Sequence, residues 1–484
     1  MKAFFYFQIY KAWQWKGANL KERISGHYEN LKEYLSSDVV PFELLKKILL
    51  PIFWEQLFLA SLALFSIWLL SFDGENAMSV VSMMSVITRV FSSLCLGMIT
   101  GGTVLVAQNI GAKRKTDAGN CMFQTMGVAV LITTILSTVL IMSRQPLVWY
   151  LLPSADPEIV DGALLYLTGF CLSFPFFAFY QAYAGAMRGW GHSALAWRLT
   201  LSVNGVELSL IAILLIGLNM GVHGVTYAVV LSRVFGAMYA TLLMYKNRNE
   251  LELKPRAGLT VNPAIIKSML IIAVPLALEQ FFFNSGKAFS QRYIAGYGAG
   301  HMAAYGVVDS VFNIFNLPQI TLREGLVIVV GMCVGFKHYD LAKRYVYRFM
   351  RVIRRLLLYL MPLTIPLGIA LVYAFRLPMQ TNILVFWSLG VIFISGPPLL
   401  AGSLTIPAAL RGGGDAPFVS VAALCCMWGV RVSASWLLAG VLNFGVVGLN
   451  MAMVLDWAVR NIIFRARLKG EVWYSRKLIL NEGT

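Results

Sequence analysis

The chain has 484 residues, 58% of them hydrophobic and 13% charged, with a mean hydropathy of +0.69. Soluble globular chains carry about 25% charged residues, so this composition excludes a soluble globular fold and implies a polytopic membrane protein. A formal net charge of +17 could suggest a nucleic-acid partner, but the basic residues gather in alternate loops, which excludes that reading.

In chain order, residues 1–45 interleave Phe4, Phe5, Tyr6, Phe7, Tyr10, Trp13 and Trp15 with lysines, then give a charged helical stretch from Leu20 to Leu35. The pattern fits a cytoplasmic amphipathic extension on the inner leaflet, and equally a poorly ordered one; no small-residue cleavage site follows Lys2. Apolar segments of spanning length follow at about 47–71, 77–106, 121–142, 161–187, 198–218 and 222–245. The polar, proline-containing stretch 246–267 reads as a cytoplasmic linker. Six more segments lie at about 268–295, 302–333, 346–374, 381–408, 418–440 and 445–465, ahead of a cytoplasmic tail over 471–484. Prolines and glycines within these segments argue for helices rather than barrel strands. The expected fold is all-α, with twelve transmembrane helices in two pseudo-symmetric six-helix bundles, a first lobe over 46–245 and a second over 268–470.

Lysine and arginine concentrate at Lys2–Lys47, Lys113–Lys115, Lys246–Lys267 and Lys337–Arg355, and after Arg460. The positive-inside preference therefore places both termini in the cytoplasm of a cell (plasma or inner) membrane. The cysteines lack metal spacing and the histidines never pair, so neither a disulfide nor a metalloenzyme is expected.

The two halves resemble each other. A shift of 224 residues carries Pro51-Ile52-Phe53-Trp54-Glu55-Gln56 onto Pro275-Leu276-Ala277-Leu278-Glu279-Gln280, and Gly111, Lys113 and Gly221 onto Gly335, Lys337 and Gly445. After slipping by one residue it carries Ala186-Met187-Arg188-Gly189-Trp190-Gly191 onto Ala409-Leu410-Arg411-Gly412-Gly413-Gly414. Duplicated helical halves in a membrane usually enclose a transport pathway. In each Arg-Gly-x-Gly motif (Arg188, Gly189 and Gly191; Arg411, Gly412 and Gly414) the glycines permit a tight helix exit and the arginine can meet the last carbonyls.

Ala107 to Ala112 with Gly331 to Gly335, the two Arg-Gly-x-Gly motifs, and Gly221-Val222-His223-Gly224, taken in this order, make residues 46–470 resemble the multidrug and toxic compound extrusion (MATE) family, within the multidrug/oligosaccharidyl-lipid/polysaccharide flippase superfamily. The resemblance implies a two-lobed exporter, driven by sodium or protons, for an organic and often cationic solute. Three familiar acidic positions of that family align here with Ser66, Leu208 and a site near Leu400, although Asn204 is kept and Glu207 is adjacent. The standard coupling site therefore does not transfer.

Charges inside predicted spans need a reason, because each costs at least ~2.5–3.5 kcal/mol at the bilayer centre. Glu55 and Glu279 each follow a proline by four residues and precede Gln56 and Gln280. They read either as coupling groups facing a central cavity or as ties within each lobe. Asp309 and Asn313, one turn apart, form a substrate or ion site, or else Asp309 pairs with Arg292 or Lys287. Glu207 and Arg431 occupy equivalent repeat positions with opposite charge, and Asp456 and Arg460 fit an intrahelical pair. Aromatics such as Phe281, Phe282, Phe283, Trp54 and Trp428 could face the cavity or lipid. Acidic and basic residues in the spans nearly balance, which leaves a zwitterionic or anionic substrate open.

The expected function is secondary active efflux of a small organic or amphipathic solute by alternating access, with H+ or Na+ antiport. The alternatives are a flippase for a lipid-linked precursor and a facilitator-type transporter, whose Gly-x-x-x-Asp-Arg loop is absent between Gly111 and Asn120. Enzymatic activity is the weakest reading. No cofactor is implied beyond Na+ as a coupling ion, the bilayer and the solute are the expected partners, and a monomer suffices.

Overall fold

The computed structural model describes residues 41–70, 75–151, 157–248, 262–297, 299–374 and 378–475. The extension before Pro41, most of the linker (249–261) and the end of the tail (476–484) lie outside the described residues. The chain divides after Lys46; of the preceding unit only Pro41 and the first turn of a helix, Phe42–Lys46, are described, and residues 47–484 form the second unit.

Twelve long helices occur among the described residues: α1 (Phe42–Leu70), α2 (Glu75–Gly111), α3 (Lys115–Met142), α4 (Pro157–Trp190), α5 (Ser193–Gly217), α6 (Gly221–Lys246), α7 (Pro263–Ala295), α8 (Ala299–Gly335), α9 (Tyr339–Ala374), α10 (Met379–Gly412), α11 (Ala416–Val441) and α12 (Gly445–Lys469). Ten of them are long and apolar enough to cross a membrane. The other two are α1 and α9, and the first half of α9 carries Lys343, Arg344, Arg348, Arg351, Arg354 and Arg355. Each helix lies on one of the apolar segments expected from the sequence, and most extend beyond it by several residues. Helices this long leave apolar side chains facing outward; Leu131, Ile135 and Val139 on α3 are more than half exposed, as lipid-facing residues should be.

The sequence repeat is written into the backbone. Left-handed residues occur in pairs at the same offset: Lys113 (φ 60°) with Lys337 (62°), Asn219 (50°) with Asn443 (59°), and Gly221 (55°) with Gly445 (51°). Gly191 (90°) pairs with Gly414 (99°) after the one-residue slip. Local π-helical turns recur at Ala212–Gly217 of α5 and Trp436–Val441 of α11. Packing repeats as well. α2 lies against α3 and α4, and α4 against α6; in the second half α8 lies against α9 and α10, and α10 against α12.

The halves meet where α2 crosses α7 and α8. Glycines let the backbones touch. An added Cβ at Gly97 would lie 2.9 Å from the Ala277 nitrogen, and one at Gly101 would lie 2.9 Å from the Met269 carbonyl oxygen. At the α2–α8 crossing the repeat-related Gly111 and Gly335 abut the Met332 and Gln108 carbonyls, and the Gln108 side-chain amide donates to the Gly412 carbonyl at 3.0 Å.

Candidate functional site

The four helix ends nearest this crossing share one design. Beyond α2, the Lys113 and Arg114 amides donate back to the carbonyls of Ile110 and Asn109; beyond α8, those of Lys337 and His338 donate to Val334 and Cys333. Beyond α4, Gly191 and His192 donate to Arg188 and Met187, and beyond α10, Gly414 and Asp415 donate to Arg411 and Leu410. These paired bonds around a left-handed residue satisfy carbonyls that a helix end leaves bare.

The arginines of the motifs therefore have another task. Arg188 Nη1 donates to Glu55 Oε1 at 3.0 Å and to Oε2 at 3.2 Å, and the Thr200 hydroxyl donates to Oε1 at 2.8 Å. In the second half Arg411 Nη2 donates to Glu279 Oε1 at 2.6 Å and the Ser420 hydroxyl donates to Oε2 at 2.9 Å. Both glutamates are buried. Arginine was expected on the last carbonyls of its own helix; it lies instead on a carboxylate of α1 or α7, because charge-assisted bonds are stronger and the carbonyls already have donors. Each tie joins the first, fourth and fifth helices of its half. Gly189 and Gly412 bring the motif close to α2 and α8, where a Cβ would meet the Thr103 carbonyl oxygen at 2.6 Å and that of Val327 at 2.5 Å. Gln56 and Gln280 are half-buried beside the tied glutamates.

A second cluster lies in the second half, around a cavity of about 250 Å³ between α7, α8, α10, α11 and α12. Asp309, Asn313, Asn316 and Arg323 reach it from one face of α8, Phe283 and Lys287 from α7, Arg431 from α11, and Asn450 and Trp457 from α12. Lys287 Nζ approaches Asp309 Oδ1 at 3.3 Å, and the Asn313 amide donates to Oδ2 at 3.1 Å. Of the two partners expected for Asp309, Lys287 is the one in place; Arg292, a turn and a half further along α7, is exposed. Gln319 also lines the cavity and donates from Nε2 to the Leu400 carbonyl at 3.1 Å.

Of the remaining residues singled out from the sequence, Asn204, Glu207, Asp456 and Arg460 stand apart from this cavity, while Arg431 lines it. Asn204 turns onto its own helix and donates to the Thr200 carbonyl at 2.7 Å. Glu207 accepts from the Ser232 hydroxyl at 3.4 Å, while Arg233, the next residue on α6, stacks on Phe170 and Phe177 at 4.8 and 5.1 Å and donates to the Ser173 hydroxyl. Arg431 is buried beside the Phe283 ring, so the repeat-equivalent Glu207 and Arg431 each have surroundings within their own half. Arg460 Nε donates to Asp456 at 2.7 Å along α12, as spacing predicted.

Sequence reading missed Thr200, Ser420, Asn316 and Gln319. The two hydroxyls are out of register, since the 224-residue shift carries Thr200 onto Leu424. Asn316 was detectable, because positions 309, 313, 316 and 323 follow the helical period of one face.

The MatE family model matches residues 51–214 and again 275–437, so two copies start 224 residues apart. The chain is 26% identical over 467 residues to a protein of Thermotoga maritima named as the probable multidrug resistance protein NorM, covering 91% of this chain and 94% of that one. It is 21% identical over 432 residues to the uncharacterized transporter YisQ of Bacillus subtilis, covering 84% and 90%. A crystal structure described as MATE in the bent conformation superposes with a TM-score of 0.81 at 16% identity, covering 90% of this chain and 98% of that one. The duplicated family match, the all-helical multi-pass fold and the paired Arg-Gly-x-Gly ties agree, and the chain belongs to the MATE family of multidrug efflux transporters.

Proposed function

We propose that the chain crosses the bilayer twelve times as two six-helix lobes with both termini cytoplasmic, and that it exports small organic or amphipathic solutes from the cell by alternating access in exchange for protons. The observation that carries this reading is the Asp309–Lys287 pair, at 3.3 Å and about one-third exposed at each partner, inside a cavity. A proton placed on Asp309 neutralises the carboxylate and frees the Lys287 ammonium, so the pair distinguishes two states of the cavity. Sodium fits less well there, since it would share Asp309 with an ammonium group and lie in a cavity that also holds Arg431.

Glu55 and Glu279 serve lobe integrity in this reading, because arginine and hydroxyl donors already hold both carboxylates. The glycine crossings between halves adjoin Lys113, Lys267 and Lys337, which the positive-inside preference assigns to the cytoplasm. A molecule closed at that end faces outward. The lipid-flippase alternative draws no comparable support, since the Thermotoga relative is named for multidrug resistance.

The test is efflux from proteoliposomes under an imposed pH gradient or, separately, a sodium gradient. The pH gradient is expected to drive it, and Asp309→Asn is expected to reduce the gradient-driven component by on the order of 5–150-fold, the span of ordinary coupling energies. Efflux in Asp309→Asn that still follows the pH gradient at the unaltered rate removes Asp309 from the mechanism. Drive by sodium alone removes the proton.

A further inference from the structure

Arg431 presents an unsolved charge balance in the cavity. It is 5% exposed, lines the cavity from α11, and its Nε atom has no hydrogen-bond partner. Among the described residues, the charged groups around it are already matched. Lys287 holds Asp309 at 3.3 Å from α7 and α8, Arg460 holds Asp456 at 2.7 Å on α12, and Arg323 pairs with Glu324 at 3.5 Å on α8. Each of these pairs is neutral, so the guanidinium of Arg431 remains as a net positive charge. A buried cation without a counter-charge is strongly unfavourable, and in a transporter such a residue marks the substrate path.

Two acceptors share the space. Asn316 Oδ1 and Gln319 Oε1 are buried, line the same cavity and have no hydrogen-bond partner. The walls are aromatic: the Phe283 ring lies 5.9 Å from the Arg431 guanidinium, and Phe312 stacks on Trp457 with centroids 5.6 Å apart. At about 250 Å³ the cavity falls just short of the ~300 Å³ at which sites for drug-sized ligands begin.

Resting on the transport reading above, we infer that this cavity takes a small organic anion, an aromatic carboxylate. Its carboxylate engages the planar fork of Arg431, which matches two carboxylate oxygens at once. Its ring lies against Phe283, Phe312 and Trp457, and an N–H or O–H substituent donates to Asn316 or Gln319. An organic cation of the same size would meet the unmatched charge of Arg431 as a repelling one.

The probes are anthranilate, a fluorescent aromatic carboxylate with an N–H donor, and benzylammonium, a cation of similar size. Binding of each to the purified full-length protein in detergent is measured by equilibrium dialysis. The intact protein is expected to bind anthranilate in preference to benzylammonium, and to gain thermal stability with anthranilate present. Arg431→Gln is expected to weaken anthranilate binding by on the order of 10–100-fold, the range for a lost charge-assisted hydrogen bond. Arg431→Lys, which keeps the charge but not the fork, is expected to lose several-fold, and it decides the matter if Arg431→Gln is not monodisperse. Undiminished anthranilate binding in the variant that folds, or preference of the intact protein for benzylammonium, overturns the assignment. Gradient-driven export of benzylammonium without anthranilate binding ends the anion assignment and leaves the exporter reading standing. Anthranilate binding that depends on Arg431, without gradient-driven movement of either probe, keeps the site and ends the exporter reading.

Discussion

Replacing Arg411 with Met is expected to destabilise the protein by about 3–5 kcal/mol, because it strands a buried carboxylate. Glu279 is buried and would keep only the Ser420 hydroxyl as a donor. Glu279→Met should cost a similar amount by stranding the guanidinium, whose Nε atom already has no partner. The double replacement is expected to recover most of the loss, since a buried ion pair exchanged for apolar side chains of similar volume is often neutral. Denaturant midpoints of the four proteins of the cycle in detergent check this, and the same cycle applies to Glu55 and Arg188. Single variants within about 1 kcal/mol of the parent would place the pair among weak surface bridges and remove its structural role. A role in ion coupling predicts the opposite pattern, with stability intact and transport lost in Glu279→Gln.

Gly335→Leu and Gly111→Leu are expected to abolish most transport while leaving the fold intact. A Cβ at either position overlaps a backbone carbonyl of the opposing helix, that of Gln108 or Met332, and backbone cannot swing aside as a flexible side chain does. Overpacking of this kind costs roughly 1–3 kcal/mol in the closed arrangement. That shifts the balance of states by a factor of about 5–150 toward the form in which the crossing is open. Hydrogen exchange over residues 104–112 and 328–336 should speed up in the variants. Gly127→Ala is the control, because nothing lies within 4 Å of the added carbon. Exchange in Gly335→Leu that matches the control would mean the crossing does not open during the cycle.

Much of this arrangement can be read from the sequence because duplication leaves a one-dimensional trace. The offset that aligns Pro51 with Pro275 also aligns Lys113 with Lys337, and both lysines adopt the same unusual backbone conformation. Helix positions followed from apolar length, and the Asp456–Arg460 pair from spacing along one helix. Contacts between helices were less accessible. Whether Asp309 meets Lys287 or Arg292 depends on which face of α7 turns inward, and nearly uniform hydropathy around a lipid-embedded helix does not mark that face. The paired glutamates and the arginines that hold them are related by the repeat, yet the hydroxyl donors Thr200 and Ser420 are not, and nothing in the sequence marks them. The cavity was legible in part: Asp309 and Asn313 stood out as a candidate substrate or ion site, whereas Asn316 and Gln319, uncharged and among many polar residues in the spans, did not.

The Glu55–Arg188 and Glu279–Arg411 pairs are each enclosed within one half, and among the described residues the halves join at the crossing through glycine-lined backbone contact and a hydrogen bond from the Gln108 side-chain amide. Rocking one half against the other consequently parts uncharged surfaces. Conformational turnover should then be nearly indifferent to ionic strength, in contrast to gates latched by exposed charges. Bilayer thickness and lateral pressure become the variables that set its pace.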